Sequence, residues 1–280
     1  MISAEMSRLL VCSEQDVSSV NMRARLLGEG GWEDQGSDGE NSYRVRGDDV
    51  LLSAPSLHIH AENIDSVAKK FGITVNNIVF MSKHKAASAI PTLTVHPIGN
   101  YKKADFGGKA ETLVKSMPGF MTDSLRKIVS ANDTGYGVSF EVTHHGPYVD
   151  VPTMFIEIGS DESHWGDVHA AEILANVIDN MEENDYPAVV GIGGGHYAPR
   201  FTEISLRYKI NFGHMIPNYQ IENSSDSEVI RMIRSATEAT STKVVYIHRK
   251  SMRKSEVIRI RDLIDSEGLE TISSKDLDLV

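Results

Sequence analysis

The stretch VTHHGPYVDVPTMFIEIGS at 142–160 sets two adjacent histidines, His144 and His145, before Gly146-Pro147, and a single carboxylate, Glu157, inside an apolar run. Neutral imidazoles and carboxylates are the groups that hold a divalent metal, and they also move protons near neutral pH. Four further histidines stand beside a glycine, a proline or a strand end: His84 in MSKHKAAS, His96 in LTVHPIGNY, His196 in GIGGGHY and His214 in NFGHMIPNY. In an open α/β sheet such positions present side chains at the rim outside the strand C-termini, where ligands bind. A shared site built from these histidines is the chemical reading. Separate structural histidines in turns are the bland one.

On extended backbone successive side chains point to opposite faces, so His144 and His145 cannot both reach one metal from a regular strand. One then faces the site while the other supports it, unless Gly146 bends the chain and turns both inward. In TMFIEIGS, Thr153, Phe155 and Glu157 share one face. A carboxylate there is costly to bury without a partner. Glu157 is therefore a metal ligand, an orienter of a histidine or a general base, or else it lies at an exposed edge.

GIGGGH at 191–196 is not a P-loop, since no Lys-Ser or Lys-Thr follows, and His196 stands where the third glycine of a dinucleotide fingerprint belongs. Close backbone approach to a substrate suits it better, with the amides of Gly193, Gly194 and Gly195 available to an oxyanion. Tyr197 and Arg200, just beyond, could hold a ribose or a phosphate. HIH at 58–60 would place two rings on one strand face, either as a metal pair or as an ordinary exposed pattern. His164 and His169 read as surface residues of a helix. Lys83 and Lys85, Lys102 and Lys103, and HRKSMRK at 248–254 could form a local basic surface, or could simply be solvated charges.

The elements that position these groups alternate. SRLLVCS (7–13) reads as a buried strand and is followed by a helix opening at a capping-type Asp16. Residues 28–48 are Gly-rich, acidic and polar, and read as a flexible loop. Segments 49–60, 73–84 and 91–97, then YGVSFEVTHH and TMFIEIGS, read extended. Residues 110–132 have helical stretches on both sides of Pro118, 161–184 forms the strongest helix, and 186–197 is a buried strand entering the glycine turn. Helix 227–239, the strand TKVVYIHRK and a closing helix ended at Gly268 complete a single α/β unit over 1–280. Such alternation predicts a three-layer α/β/α arrangement around a mixed sheet.

The 280 residues carry a net charge of −11, which argues against a broad, non-specific nucleic-acid binder. No apolar run is long enough to span a membrane, and the N-terminal stretch lacks the pattern of a secretory signal. The single cysteine, Cys12, excludes an internal disulfide, fits a reducing cytosol, and leaves any metal to His, Asp or Glu ligands.

Four motifs, MSKHKAASAIPTLTVHPIGNY, VTHHGPYVDVPTMFIEIGS, GIGGGHYAPRF and GHMIPNY, occur between residues 81 and 219. Together they resemble the archaeal-type D-aminoacyl-tRNA deacylases, also called D-tyrosyl-tRNA deacylases of the second type. SRLLVCSEQDVSSVNMR and ENID extend the likeness towards the N-terminus. The resemblance implies a cytoplasmic, zinc-dependent hydrolase, similar in fold to phosphorylase- and peptidyl-tRNA-hydrolase-like proteins. It would cleave the ester between a D-amino acid and the 3′ end of tRNA. It carries over Lys83, His84, His96, His144, His145, Glu157, His196 and His214. Glu157, His145, His196 and Lys83 are then the expected catalytic groups, and His84, His96, His144 and His214 the expected zinc ligands, with the ligating subset open. Gly193, Gly194, Gly195, Tyr197, Arg200, Lys102 and Lys103 are the expected contacts to the acceptor end of tRNA. A monomer with no DNA or membrane partner is expected.

The chemistry agrees with these residues. Hydrolysis of an aminoacyl ester needs an activated water and a cradle for the oxyanion, and no serine elbow or catalytic cysteine is evident. Two rivals use the same features: a zinc peptidase or amidohydrolase on small substrates, and a non-catalytic tRNA- or nucleotide-binding protein.

Overall fold

The β-branched runs pair where their alternation buries them. In the computed structural model residues 7–70, 72–87 and 89–280 are described, so the N-terminal reading lies, over residues 1–6, outside them. β1 (Ser7–Ser13) leads into α1 (Val17–Gly28), whose first turn is capped by the Asp16 carboxylate accepting from the Ser18 and Ser19 amides. β2 (Glu33–Ser37), β3 (Ser42–Arg46) and β4 (Asp49–Ala54) follow, then α2 (Ile64–Lys70), β5 (Val75–Lys85) and β6 (Thr92–His96). The short β7 (Gly99–Asn100) and β8 (Thr112–Leu113) pair with each other. α3 (Pro118–Ala131), β9 (Gly137–Phe140), β10 (Thr153–Ser160) and α4 (Val168–Asn180) complete the first half.

Eight of these strands form one sheet, mixed as the sequence predicts, and the structure gives their order as β2-β3-β4-β1-β5-β10-β6-β9. β10 lies parallel to β5 and antiparallel to β6. The remaining elements are β11 (Ala188–Ile192), α5 (Pro199–Arg207), β12 (Asn211–Ile216), α6 (Asn218–Ile221), α7 (Asp226–Thr240), β13 (Val244–Ile247), α8 (Lys254–Ser266) and β14 (Glu270–Ile272). The four strands among them build a second, parallel sheet in the order β12-β11-β13-β14. Leu10, Val79, Met154 and Ile156 face α1, α3 and α4 in one apolar cluster, while Leu9, Val11, Phe80 and Phe155 face α2 in another. Each such side chain contributes about 1.5–3 kcal/mol on burial.

Four local readings are corrected. Residues 28–48 are not a plain loop: β2 and β3 form a hairpin at the sheet edge, which the polar composition hides because β2 is exposed along its length. HIH is a 3₁₀ turn and not a strand, so its two rings do not share a face. Pro118 starts α3 instead of dividing a helix, because its fixed φ and missing N–H suit a first turn. The helix read over 161–184 begins only at Val168, where Asp167 caps it.

Candidate active site

Three neighbouring strands present the site from one face. In the register of β5, β10 and β6, Phe80, Phe155 and His96 form one row, Ser82, Glu157 and Thr94 the next, and His84, Gly159 and Thr92 a third. Paired residues point to the same side, so Glu157 lies between His84 and His96 on the central strand, 2% exposed. A Cβ on Gly159 would stand 2.9 Å from the His84 ring, so the missing side chain lets that ring lie over β10. His96 Nε2 is 3.4 Å, and His84 Nδ1 3.6 Å, from a Glu157 oxygen. The site therefore sits on one face of the sheet beside the antiparallel β10–β6 pair, with His84 and His96 at the ends of β5 and β6 and Glu157 within β10.

A second buried carboxylate completes it. Alternation along β9 sends Val138, Phe140 and Val142 towards the apolar core and Ser139 and Glu141 towards the site. Glu141 is fully buried, with His196 Nε2 at 2.7 Å, His84 Nδ1 at 3.2 Å and His144 Nε2 at 3.6 Å. The extension of β9 holds His196 in place: the Val142 amide donates to the His196 carbonyl and the Ala198 amide to Phe140. Sequence reasoning missed Glu141, although the alternation that singled out Glu157 applies equally to GVSFEVT.

His144 and His145 both turn inward. His145 takes a left-handed φ of 44°, so the strand geometry that would separate the two rings does not hold. The His96 and His144 rings lie 4.4 Å apart, His144 and His145 4.4 Å, and His144 and His196 4.6 Å.

Protonation follows from the hydrogen bonds. His144 Nδ1 donates to the Val142 carbonyl (2.8 Å), His145 Nδ1 to Gly146 (2.6 Å) and His96 Nδ1 to Pro97 (3.1 Å). Burial and neighbouring imidazoles hold His144 well below the ordinary histidine range and bring His145 down to about 4. Neutral His144 then directs its Nε2 lone pair at the Glu141 carboxylate. Burial works against ionisation of Glu141, but His196, His84 and His96 outweigh it and hold the carboxyl well below its usual range. For His96 burial is outweighed by Glu157, which raises it.

His96 Nε2, both Glu141 oxygens and one Glu157 oxygen accordingly make no well-aligned hydrogen bond. Carboxylate oxygens and imidazole nitrogens that face one another across 3–4 Å in a dry interior without an aligned hydrogen bond suit a cation between them, a proton or a metal. Ligand atoms within 4.8 Å of one another are offered by His84, Glu141, His144 and His196, by His96, His144 and His145, and by His96, Glu141 and Glu157. The donor set fits a divalent metal with N and O ligands.

The cluster opens into a cavity of about 360 Å³, walled by Asp16, His58, Lys83, Phe106, His145 and Phe155 among others. Asp16 accepts from the Lys83 amide at 2.8 Å, and burial raises its carboxyl despite that bond. His58, the first histidine of the HIH stretch, is buried there and lowered to about 4 by burial. Lys83 Nζ lies 4.7 Å over the Trp165 ring. Tyr197 reaches His84 Nε2 with its hydroxyl at 3.2 Å.

Other expected site residues lie elsewhere. His214 does not join the cluster: it is fully buried, Nε2 donates to the Val114 carbonyl at 2.7 Å, and Nδ1 meets the Thr143 hydroxyl at 3.0 Å. The Gly193 amide donates to Ile216 and the Gly194 amide to Asn218 and Ser251, so neither is free for an oxyanion; Gly195 is exposed. Arg200 bonds Glu203 and the Tyr246 hydroxyl and lines a separate cleft with His248, Arg249, Lys250 and Lys275. Lys103 lines a groove beside the histidines, and Lys102 is part-buried outside it.

The family profile described as D-aminoacyl-tRNA deacylase matches residues 71–272. A protein of Methanococcoides burtonii with that name is 35% identical over 98% of this chain, which spans 58% of the relative's length. Namesakes from Methanosarcina mazei (32% identical) and Thermococcus kodakarensis (34%) match 96% and 95% of the chain, over 92% and 99% of their own lengths. The crystal structure of a conserved protein of unknown function superposes with a TM-score of 0.88, at 31% identity, covering 98% of this chain and 99% of that one. The mixed α/β fold and its near-complete overlap with these relatives lead to one conclusion: the chain belongs to the D-aminoacyl-tRNA deacylase family.

Proposed function

We propose that this protein hydrolyses the ester joining a D-amino acid to the 3′ end of tRNA, with zinc held in the His/Glu cluster. The observation that carries the reading is the convergence of two buried carboxylates, Glu141 and Glu157, on the imidazoles of His84, His96, His144 and His196, with both Glu141 oxygens, one Glu157 oxygen and His96 Nε2 left without an aligned hydrogen bond. Glu141, His84, His144 and His196 would hold the metal, and bound zinc would polarise the ester carbonyl and acidify a water. Glu157 would take a proton from the water attacking the ester carbonyl and return it to the departing 3′-oxygen, giving free tRNA and the D-amino acid. His96 Nε2 faces the Glu157 carboxylate at 3.4 Å, and the Lys83 ammonium at the cavity wall would offset charge on the tetrahedral oxyanion. The apolar wall of Leu57, Ile59 and Phe155 receives the amino-acid side chain, and its fixed shape discriminates at the α-carbon.

His196 lies in the turn that follows β11 of the second sheet and Glu157 on β10 of the first, which supports reading residues 1–280 as one catalytic unit. The cleft lined by Arg200, His248, Arg249, Lys250 and Lys275 gives an acidic protein a local cationic surface for tRNA phosphates. Among the described residues no helix is long and apolar enough to cross a membrane. We read the enzyme as a cytoplasmic monomer.

Purified protein given D-tyrosyl-tRNA should release D-tyrosine, should spare the L-ester, and should lose activity to a chelator and regain it with zinc. Equal rates on both enantiomers would refute the reading, as would activity indifferent to chelation. Tight tRNA binding without turnover would favour a non-catalytic binding protein instead.

A further inference from the structure

A groove of about 300 Å³ adjoins the reactive cavity and shares His144, His145, His196 and Phe106 with it. That volume is at the lower end of the ~300–1,000 Å³ typical of small-molecule sites. Two of the large apolar or aromatic side chains that the described surface leaves exposed, Phe106 at 67% and Tyr219 at 46%, both line this one groove. Lys103 and Asp105 stand with them, one charge of each sign.

Phe106 is exposed yet firmly mounted. The Gly146 amide donates to its carbonyl at 3.0 Å, and Asn100 Nδ2 holds the Gly107 carbonyl at 2.9 Å. A Cβ on Gly146 would stand 2.2 Å from the Gly108 amide nitrogen, so the loop bearing Phe106 packs directly on the turn that follows His145. A lone exposed ring is ordinary, but two exposed rings lining one groove at the lip of a histidine site, one of them fixed by its loop, form a surface that a planar ligand can cover.

We propose that this groove is the seat of a nucleoside, whose base stacks against Phe106 and Tyr219 while its ribose reaches His144 and His196 and a 5′-phosphate meets Lys103. Every base has a π-face, and stacking on exposed aromatics is how proteins take hold of unpaired nucleotides. Because Phe106 borders both cavities, a base on its groove side leaves the ribose directed at the cluster. The assignment rests on the reading of the protein as acting at the 3′ end of tRNA, and names the subsite for the terminal nucleoside.

The test is binding alone, so it does not depend on turnover. Adenosine, AMP and ribose 5-phosphate are titrated calorimetrically into the whole wild-type protein and the variants Phe106→Ala, Phe106→Trp and Tyr219→Ala. Adenosine and AMP should bind, Phe106→Ala should weaken both by roughly 5- to 100-fold, Phe106→Trp should retain them, and ribose 5-phosphate should bind far less well. Phe106 is solvent-exposed, so its truncation leaves the core intact, and circular dichroism checks this. Adenosine binding unaffected in Phe106→Ala overturns the proposal, as does ribose 5-phosphate binding as tightly as AMP, or D-tyrosine competing for the groove as well as adenosine. If the protein fails to deacylate D-tyrosyl-tRNA while adenosine binding still depends on Phe106, the functional reading falls and the groove stands.

Discussion

His96 and His214 are both completely buried, yet their surroundings differ in kind. Both ring nitrogens of His214 are consumed, one by a backbone carbonyl and one by the Thr143 hydroxyl, which itself accepts from the Met215 amide. His96 spends one nitrogen on Pro97 and aims the other at Glu157, where no aligned hydrogen bond forms. A buried histidine that is saturated ties loops together. One left unsaturated beside a buried carboxylate keeps a lone pair or a proton for chemistry, at an energetic cost that the rest of the fold offsets.

The strongest way to break this contrast is to remove the carboxylates. Glu141→Gln and Glu157→Gln should each lower kcat/KM for D-tyrosyl-tRNA by about 10²–10⁴-fold, with Glu141→Gln also reducing bound zinc measured by elemental analysis. Near-wild-type turnover in both would mean that the cluster is only structural. Replacing His214 should do the opposite. His214→Ala strands the Val114 carbonyl and the Thr143 hydroxyl and should cost about 3 kcal/mol of stability in urea unfolding, with activity per folded molecule retained. A large kcat loss at unchanged stability would put His214 back in the site.

The same histidine gives a pH signature with a defined sign. Burial lowers it to about 4 from an ordinary 6.5, so between those values the unfolded chain binds a proton that the folded chain refuses. Its contribution is therefore fully present above pH 6.5 and is lost as pH falls towards 4, on the order of 3 kcal/mol in all. His214→Ala should flatten the stability-versus-pH curve over that window. The smallest effect is expected at the cationic cleft: Arg200→Ala should weaken tRNA binding by about tenfold or less and reduce the salt slope by about 1.

Legibility in the sequence tracked periodicity. β5, β10 and α4 were readable because apolar residues recur at the spacing their elements require, and Glu157 stood out against that pattern. The β2–β3 hairpin was not, because an exposed edge needs no apolar alternation. Glu141 carries the same alternation signal as Glu157, and what sets it apart, its approach to His84, His144 and His196, arises only from residues distant in the chain. The sequence pattern puts His58 on a strand, and only the 3₁₀ turn brings it against Phe80 and Phe155.

The sequence by itself determined the residue types available for chemistry, their exclusion of thiolate ligands, the mixed α/β class and the family likeness. These are properties of composition and local pattern. Only the tertiary structure decided which histidines share a site. Cross-strand register, the left-handed turn at His145 and the pairing of the β9 extension with residues 196–198 bring His84, His96, His144, His145 and His196 around two carboxylates, and leave His214 saturated elsewhere. The physical reason is that a nitrogen's role depends on what occupies its lone pair or its N–H, and that partner lies far away along the chain.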